Sequence, residues 1–206
     1  MNMCAFITFG CKVNQYDTQA IREGCEHVGL QNVSDGEPAE AYVINTCSVT
    51  QDADREALRV IRRIRRRQPG ARIILTGCLV DRKLHILDGA DLIVPTRQKH
   101  LIAGLIADPA TRAAFQPCFD GGYSPLSIST FTGHTRAFLK IQDGCNYRCS
   151  FCKIPQVRGR SVSRPLAEIL DGPDRLKRTR IQVKVLEARH DHVLVVPLQG
   201  SSGFSP

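Results

Sequence analysis

The sequence predicts an α/β protein in which an open domain with a parallel β-sheet is followed, after a linker, by a second and smaller unit. Three observations favour this fold class. Short apolar runs alternate with segments of helical spacing, which is typical of parallel strands joined by right-handed crossovers. A stretch rich in proline and glycine then interrupts the alternation, and a new apolar strand follows it. The length of 206 residues allows one large domain or two modest ones.

Three strand–loop–helix units make up the predicted amino-terminal domain, residues 1–107. Their strands are expected at residues 4–9, 41–45 and 72–75, with a fourth short strand at 91–94. Each of the first three strands is followed by a polar loop and then by a segment whose apolar residues have helical spacing. The expected helices are one that carries Ala20, Ile21, Cys25 and Val28, one over residues 52–67 that ends at Gln68-Pro69-Gly70, and one over residues 79–87.

Residues 108–134 form the predicted linker, because proline, glycine and polar residues are frequent there. A strand at residues 135–142 opens the second unit and leads directly into Asp143-Gly144-Cys145. The remaining expected elements are a helix within residues 165–170, with Pro165 at an early position, and a β-hairpin of residues 181–187 with 192–198.

Composition and charge narrow the class of function. Hydrophobic residues make up 42% of the chain and charged residues 23%, close to globular averages. Basic residues number 28 and acidic residues 20, and the net charge of +8 makes a polyanion such as nucleic acid a plausible partner. No apolar run reaches the ~18 residues of a membrane helix, and the start lacks the features of a secretion signal. We therefore expect a soluble, cytoplasmic protein with no membrane partner.

Cysteine is the most informative residue type. The nine cysteines are an odd number spread over the chain, which suits metal ligation or catalysis better than a disulfide framework. Three of them, Cys145, Cys149 and Cys152, lie in one loop after a predicted strand. Thiolates this close can bind three irons of a four-iron, four-sulfur cluster, and the open iron can bind S-adenosylmethionine and reduce it to an adenosyl radical. The alternatives are a zinc site without its fourth ligand and a redox-active Cys149-x-x-Cys152 pair.

A second set of cysteines follows three predicted strands. Cys11, Cys47 and Cys78 each lie one or two residues beyond the end of a strand. Because the carboxyl ends of parallel strands meet at one edge of a sheet, these thiols should converge there. They predict a second cluster with an open iron, and small buried thiols at strand ends are the alternative. The other cysteines, Cys4, Cys25 and Cys118, are expected in the core or the linker.

Four segments resemble the radical S-adenosylmethionine methylthiotransferases. They are residues 8–17 (TFGCKVNQYD), 45–50 (NTCSVT), 76–78 (TGC) and 138–145 (FLKIQDGC). The first is most similar to the branch of that family that acts on N6-threonylcarbamoyladenosine beside the tRNA anticodon. The resemblance extends over about residues 4–170.

The resemblance implies an enzymatic function, its cofactors and the fold of the second unit. The implied reaction is methylthiolation of N6-threonylcarbamoyladenosine with two 4Fe-4S clusters and S-adenosylmethionine, and the implied partner is the tRNA anticodon stem-loop. Residues 135–170 would begin a radical S-adenosylmethionine (β/α) barrel. Phe151 would lie near the adenine of the cofactor, with a place in the core as the alternative. The implied ligand sets are Cys145, Cys149 and Cys152 for the radical-generating cluster, and Cys11, Cys47 and Cys78 for the auxiliary cluster that handles the inserted sulfur.

The resemblance leaves the catalytic residues, the electron donor and the sulfur donor unassigned. It also stops at about Leu170, and too few residues follow Cys152 to close a barrel. We expect a truncated or frame-shifted product whose tail, residues 171–206, does not match the family. Two rival functions stay open: a noncatalytic iron–sulfur or zinc module that binds RNA or a partner, and methylthiolation of a ribosomal protein.

Arginines form two further groups of candidate contacts. Those on the predicted helix 52–67 suit tRNA phosphates, because arginine offers paired donors to phosphate oxygens, and a solvated helix face is the alternative. Arg158, Arg160 and Arg164 follow the cysteine loop, and their position favours contact with substrate or cofactor. The arginines of the helix are Arg55, Arg59, Arg62, Arg63, Arg65, Arg66 and Arg67.

Overall fold

A five-stranded parallel β-sheet is the centre of the amino-terminal domain. Its strands are β1 (Met3–Thr8), β2 (Gln31–Val33), β3 (Ala41–Thr46), β4 (Arg72–Gly77) and β5 (Leu92–Val94). They lie in the order β2-β1-β3-β4-β5, and every neighbouring pair is parallel, which confirms the predicted α/β class. The computed structural model describes residues 3–48, 51–82, 89–119, 124–130, 136–147, 149–169, 171 and 193–197.

The pattern of apolar residues did not predict β2. This strand has three residues, none of them fully buried, and it lies at the edge of the sheet, where it pairs with β1. An edge strand of this length needs no apolar run, because much of its surface faces water. Hydrophobic periodicity therefore gives no signal for it.

Helices cover both faces of the sheet, so that the central strands are buried on two sides. Neighbouring residues of β1 show this: Phe6 packs in a core cluster with Ile21 and Leu105, whereas Ile7 packs in a second cluster with Ile61. The helices are α1 (Lys12–His27) and α4 (Ile102–Ala107) on the first face, and α2 (Gln51–Arg67) and α3 (Cys78–Arg82) on the second. For the helix predicted over residues 79–87, residues 83–88 lie outside the described part of the chain.

The predicted linker begins with a helix that the sequence analysis missed. Asp108 caps this helix, α5 (Pro109–Ala114), by accepting hydrogen bonds from the amides of Ala110 and Thr111. The high frequency of proline suggested a loop, but a proline at the first position of a helix is compatible with helical geometry. A 3₁₀ helix, Thr96–Leu101, directly precedes α4 in the chain.

Residues 124–130 of the linker are packed along α1. The carboxylate of Glu23 accepts hydrogen bonds from the amide of Ser129 at 2.7 Å and from the amide of Thr130 at 3.0 Å. Leu126 and Ile128 are buried in the same core cluster as α1. The described part of the linker is therefore attached to the domain rather than detached from its surface.

The second unit contains short elements and two antiparallel pairings. The predicted strand at residues 135–142 corresponds to β6 (Arg136–Lys140) and β7 (Gln142–Asp143). After it come α6 (Ile154–Arg158) and β8 (Val162–Ser163), which pairs with β7. Residues 166–169 are helical, as the sequence predicts for this region.

One strand of the tail is described. This strand, β9 (Val193–Pro197), pairs antiparallel with β6. It falls in the second half of the hairpin predicted from the sequence, and the first half, residues 181–187, lies outside the described residues. The start of a barrel stays a prediction. Among the helices of the described ranges, none has the length and apolar character needed to span a membrane.

Candidate thiol site at the carboxyl edge of the sheet

Three cysteines lie at the same edge of the parallel sheet. Cys11 is the residue before α1, Cys47 directly follows β3, and Cys78 is the first residue of α3, directly after β4. The strands β1, β3 and β4 are neighbours in the sheet, and at their carboxyl ends Thr8 is paired with Asn45 and Thr46 with Gly77. Cys11 and Cys47 lie on either side of the point where the strand order reverses, which is where open α/β sheets bind ligands.

The loops that carry Cys11 and Cys47 touch each other through Gly10. The φ angle of Gly10 is 95°, a conformation that glycine adopts at no steric cost. A Cβ atom at this position would lie 2.6 Å from both Cβ and Sγ of Cys47. The side-chain amide of Asn14 joins the two loops further, because it donates to the carbonyl of Phe9 at 2.8 Å and to that of Thr46 at 2.9 Å.

The loop that carries Cys78 is attached to the end of β3 in the same way. The hydroxyl of Thr46 donates to the carbonyl of Thr76 at 2.6 Å and accepts from the amide of Leu79 at 3.3 Å. Gly77 has φ 96°, and a Cβ atom there would lie 2.3 Å from the carbonyl oxygen of Thr46. Hydrogen bonds and close contacts thus fix the backbone of all three cysteine loops.

The donor set of this edge fits an iron–sulfur cluster. Cys47 and Cys78 are buried, Cys11 is exposed, and none of the three forms a disulfide within the described residues. Two hydroxyls beside them, Oγ of Ser48 and Oγ1 of Thr76, are buried without a hydrogen-bond partner in the described residues. Buried hydroxyls normally have a partner, and a bound group with acceptor atoms would supply one.

In the described ranges, no three His, Cys, Asp or Glu side chains are close enough to bind a single metal ion. In a four-iron cluster each thiolate binds a different iron, so this finding bears on a single ion only.

The second cysteine set lies in a closed loop between β7 and α6. Cys145 and Cys152 are partly buried and Cys149 is exposed. The amide of Cys145 donates to the carbonyl of Gly159 at 3.1 Å, and the amide of Cys152 donates to that of Cys149 at 3.1 Å. The first hydrogen bond therefore closes the segment from Cys145 to Gly159, which carries all three cysteines and α6. Residue 148 lies outside the described residues.

Phe151 is 89% exposed on this loop. A place in the core, the alternative considered from the sequence, is therefore wrong for this residue. Tyr147, on the same loop, is 77% exposed. Both rings are available to a ligand.

A buried charge network joins the two cysteine sets, and its centre is Asp17 of α1. The carboxylate of Asp17 lies 2.7 Å from Nζ of Lys99 and 2.9 Å from Nζ of Lys140. Burial alone would raise the pKa of Asp17, but the charges of Lys140, Lys99 and Arg158 outweigh it and hold the pKa below its usual range. The carboxylate is therefore ionised and paired inside the protein.

Arg158 connects the cysteine loop to the carboxyl edge of the sheet. Its guanidinium lies 2.8 Å from Oδ1 of Asp143 and donates to Oδ1 of Asn14 at 2.6 Å. Asp143 precedes Cys145 by two residues, and Asn14 follows Cys11 by three. Burial would lower the pKa of Arg158, but the charges of Asp143, Cys78, Asp17 and Cys11 outweigh it and raise the pKa, with Asp143 having the largest effect.

The second carboxylate of the network, Asp143, is paired twice. Besides Arg158 it contacts Nζ of Lys140 at 2.7 Å. Burial alone would raise its pKa, but Arg158 and Lys140 hold the pKa far below its usual range. Three cations thus face two carboxylates, and the surplus positive charge lies beside thiols that would be anionic as ligands. Each of the five side chains is at least nine-tenths buried; they are Asp17, Lys99, Lys140, Asp143 and Arg158.

Most of this network could not be predicted from the sequence. Asp17, Lys140 and Asp143 stand inside the segments that carry the family resemblance, but no pairing could be read from them. Lys99 gives no signal in the sequence, because a lysine in an amphipathic region is normally solvated.

The arginines after the cysteine loop are placed differently from the sequence expectation. Arg158 is occupied by the network, and buried Arg164 donates to the hydroxyl of Tyr16 at 3.1 Å and to Glu168 at 3.1 Å. Of the three, only Arg160 has an exposed position. Contact with a ligand as their main role is therefore not supported for Arg158 or Arg164. A guanidinium suits such buried pairing as well as it suits phosphate.

Comparison with known proteins gives a family and several relatives. Residues 3–94 match the family described as "Uncharacterized protein family UPF0004". The chain is 39% identical over 165 residues to the threonylcarbamoyladenosine tRNA methylthiotransferase MtaB of Chlamydia pneumoniae, covering 80% of this chain and 38% of that protein. The MtaB protein of Bacillus subtilis (strain 168) is 37% identical over 180 residues, 82% of this chain and 40% of that protein.

A relative with a different name is also similar. The ribosomal protein uS12 methylthiotransferase RimO of Synechococcus sp. (strain CC9605) is 31% identical over 191 residues, 88% of this chain and 41% of that protein. The chain spans about two fifths of the length of the curated relatives it matches.

Proposed function

Because this chain belongs to the methylthiotransferase family through its UPF0004 domain, we propose that it acts in the methylthiolation of N6-threonylcarbamoyladenosine beside the tRNA anticodon. The observation that carries the proposal is the position of Cys11, Cys47 and Cys78 on three neighbouring strands at one sheet edge. The loop of the second cysteine set is attached to that edge by a buried charge network.

Each of the two thiol sets has its own proposed role. When bound, a 4Fe-4S cluster on each set and S-adenosylmethionine would supply radical chemistry and the inserted sulfur. The proposed ligands are Cys145, Cys149 and Cys152 for the first cluster, and Cys11, Cys47 and Cys78 for the second.

The side chains around the thiols have supporting roles. The exposed ring of Phe151 would stack on the adenine of S-adenosylmethionine, because its face is open to a planar ligand. The hydroxyls of Ser48 and Thr76 would donate to the sulfur atoms of a cluster on the buried edge. Arg158 would fix the cysteine loop against the sheet and offset the negative charge of the thiolates.

The substrate assignment rests on two observations. Relatives named for tRNA are similar to this chain at up to 39% identity, and the net charge of +8 suits a polyanionic substrate. A single-stranded loop nucleotide suits the reaction, because its base can be presented unstacked. A ribosomal protein is the second candidate, since a relative carries that name at 31% identity.

Mass spectrometry separates the two substrates. The chain is expressed in a bacterial strain that lacks its own enzymes for both modifications, and tRNA nucleosides and ribosomal protein uS12 are analysed. We expect the mass of a methylthio group on N6-threonylcarbamoyladenosine and unmodified uS12. Modification of uS12 alone would replace the first candidate by the second, and modification of neither would favour the noncatalytic module.

A further inference from the structure

Helix α2 carries arginines with two different environments. Arg65 is used inside the fold: its guanidinium donates to the carbonyl of Ala71 at 2.8 Å and contacts the carboxylate of Asp91 at 2.7 Å. The other six arginines are exposed, and we refer to them as the arginine face. Its members are Arg55, Arg59, Arg62, Arg63, Arg66 and Arg67.

The arginine face occupies one side of the helix. At about 100° per residue, its six members fall within an arc of roughly 140°. Three residues on the opposite side, Val60, Ile61 and Ile64, are buried in the core cluster on that face of the sheet. The helix therefore presents a strongly cationic surface to solvent, on which Asp52 and Glu56 are the exposed acidic residues.

The ion pairs of this surface lie in its amino-terminal half. Arg55 contacts Asp52 at 3.4 Å and Arg59 contacts Glu56 at 3.2 Å, and both pairs are exposed. The second half has no ion pair within the described residues; it consists of Arg62, Arg63, Arg66 and Arg67.

The spacing of the arginines has a cost in the free protein. Like charges four residues apart on a helix destabilise it by roughly 0.2–0.5 kcal/mol per pair. Four pairs of the arginine face have this spacing: Arg55 with Arg59, Arg59 with Arg63, Arg62 with Arg66, and Arg63 with Arg67. Attraction to the negative end of the helix dipole favours cations in the last turn, but it does not act on Arg55, Arg59 or Arg62. A bound row of anions would relieve the repulsion along the whole face.

The position of α2 relates this surface to the thiol edge. The helix begins four residues after Cys47, at the edge where the cysteines lie, and runs back along the sheet for 17 residues. From Arg55 to Arg67 the arginine face is about 18 Å long, at about 1.5 Å per residue. That length matches several successive phosphates of a nucleic-acid strand.

We propose that the arginine face of α2 binds backbone phosphates of the tRNA anticodon stem, so that the loop of the hairpin lies at the thiol edge. This inference rests on the proposed function and adds the surface that holds its substrate. Arginine suits the role because its planar fork donates two hydrogen bonds to phosphate oxygens. Contacts to phosphate give affinity and orientation without reading sequence, as a stem common to many tRNAs requires.

The test is binding of a fluorescently labelled anticodon stem-loop RNA to the full chain, followed by anisotropy over a series of salt concentrations. The variant R62Q/R66Q removes two arginines that form no ion pair within the described part of the chain. The matched control R55Q/R59Q removes the same charge from arginines that acidic neighbours already offset. We expect about tenfold weaker binding by R62Q/R66Q at low salt, a salt dependence reduced by about two phosphate contacts, and a clearly smaller effect in the control.

A second variant acts without removing any arginine. D52N/E56Q leaves the whole arginine face without its acidic neighbours and should bind the stem-loop several-fold more tightly. Circular dichroism should show that all three variants stay folded, because every substituted side chain is exposed. If R62Q/R66Q fails to fold, the affinity of D52N/E56Q for the stem-loop tests the inference: tighter binding supports it and unchanged binding contradicts it.

Three results would overturn the inference. They are unchanged affinity and salt dependence in R62Q/R66Q, an equal loss of affinity for the single-stranded loop without its stem, and displacement of the RNA by polyglutamate at equal charge concentration, which would indicate an acidic protein as the partner. The binding assay needs neither cluster nor S-adenosylmethionine. If only the proposed function is wrong, the chain still binds the stem-loop through the arginine face. If the surface is wrong, R62Q/R66Q binds the stem-loop as the wild type does. The two failures are therefore distinguishable.

Discussion

At the scale of single residues, Asp17 has the largest expected effect on stability. Its carboxylate is buried between Lys99 and Lys140. Asp17→Asn should lower the free energy of unfolding by about 3–5 kcal/mol, because it leaves buried ammonium groups without their full counter-charge. Urea denaturation of the cluster-free protein measures this. Asp52→Asn, an exposed carboxylate on α2, should change little, and equal effects of the two variants would contradict the account.

The pH dependence of this effect has a definite sign. The pKa of Asp17 is lower in the folded protein than its ordinary value of 3.8, so its contribution is complete above that pH and declines as the pH falls below it. The difference in unfolding free energy between the wild type and Asp17→Asn should therefore be constant from pH 5 to pH 7 and shrink below about pH 4. Repeating the urea titrations across this range tests the prediction, and a difference that grows on acidification would contradict it.

Gly10 is the second residue with a sharp prediction. Gly10→Ala places a methyl group 2.6 Å from Sγ of Cys47 and keeps the backbone in the left-handed region. We expect a loss of about 1–3 kcal/mol in stability and displacement of Cys47. Gly36→Ala is the control, since a Cβ there meets nothing within 4 Å. After anaerobic reconstitution, Gly10→Ala should hold about half the iron of Gly36→Ala; equal iron would show that the close approach is unimportant.

At the scale of elements, the attachment of the linker to α1 depends on Glu23. Its carboxylate accepts from the amides of Ser129 and Thr130, and from both hydroxyls. Glu23→Ala should raise the hydrogen-exchange rates of these two amides at least tenfold, because a local loss of about 1.4 kcal/mol has that effect. Glu26→Ala, on the exposed side of the same helix, should leave the rates unchanged. If the amides of Ser129 and Thr130 exchange as slowly in Glu23→Ala as in Glu26→Ala, contacts other than those of Glu23 hold residues 124–130 against α1.

The sequence could predict the elements whose residues are buried in a regular pattern. β3 is buried along its whole length and α2 has a clear apolar side, and both were located within one residue. β2 and α5 gave no such signal, because the first is an edge strand and the second buries no residue. The positions of Cys11, Cys47 and Cys78 followed from topology alone, since any parallel sheet brings its strand ends together.

The network of buried charges could not be predicted in the same way. Lys99 and Lys140 are separated by 41 positions, and each resembles a surface lysine until the fold is known. The pairing of Arg158 with Asn14 joins residues 144 positions apart. Such contacts depend on how the second unit packs against the sheet, which hydrophobic periodicity does not encode.

At the scale of the whole molecule, the structure joins two thiol sets that lie far apart in the chain. The helix α6 packs against α3, which begins with Cys78, and Arg158 links the cysteine loop to the loop after Cys11. We propose that each set holds its own four-iron cluster.

The content of iron and sulfide after anaerobic reconstitution tests this claim most directly. The full chain should bind about eight irons, and Cys47→Ala and Cys149→Ala should each retain about four. Cys118→Ala, an exposed cysteine outside both sets, should retain all of them. A full chain that binds zinc in place of iron, or a Cys47→Ala variant with undiminished iron, would contradict the account.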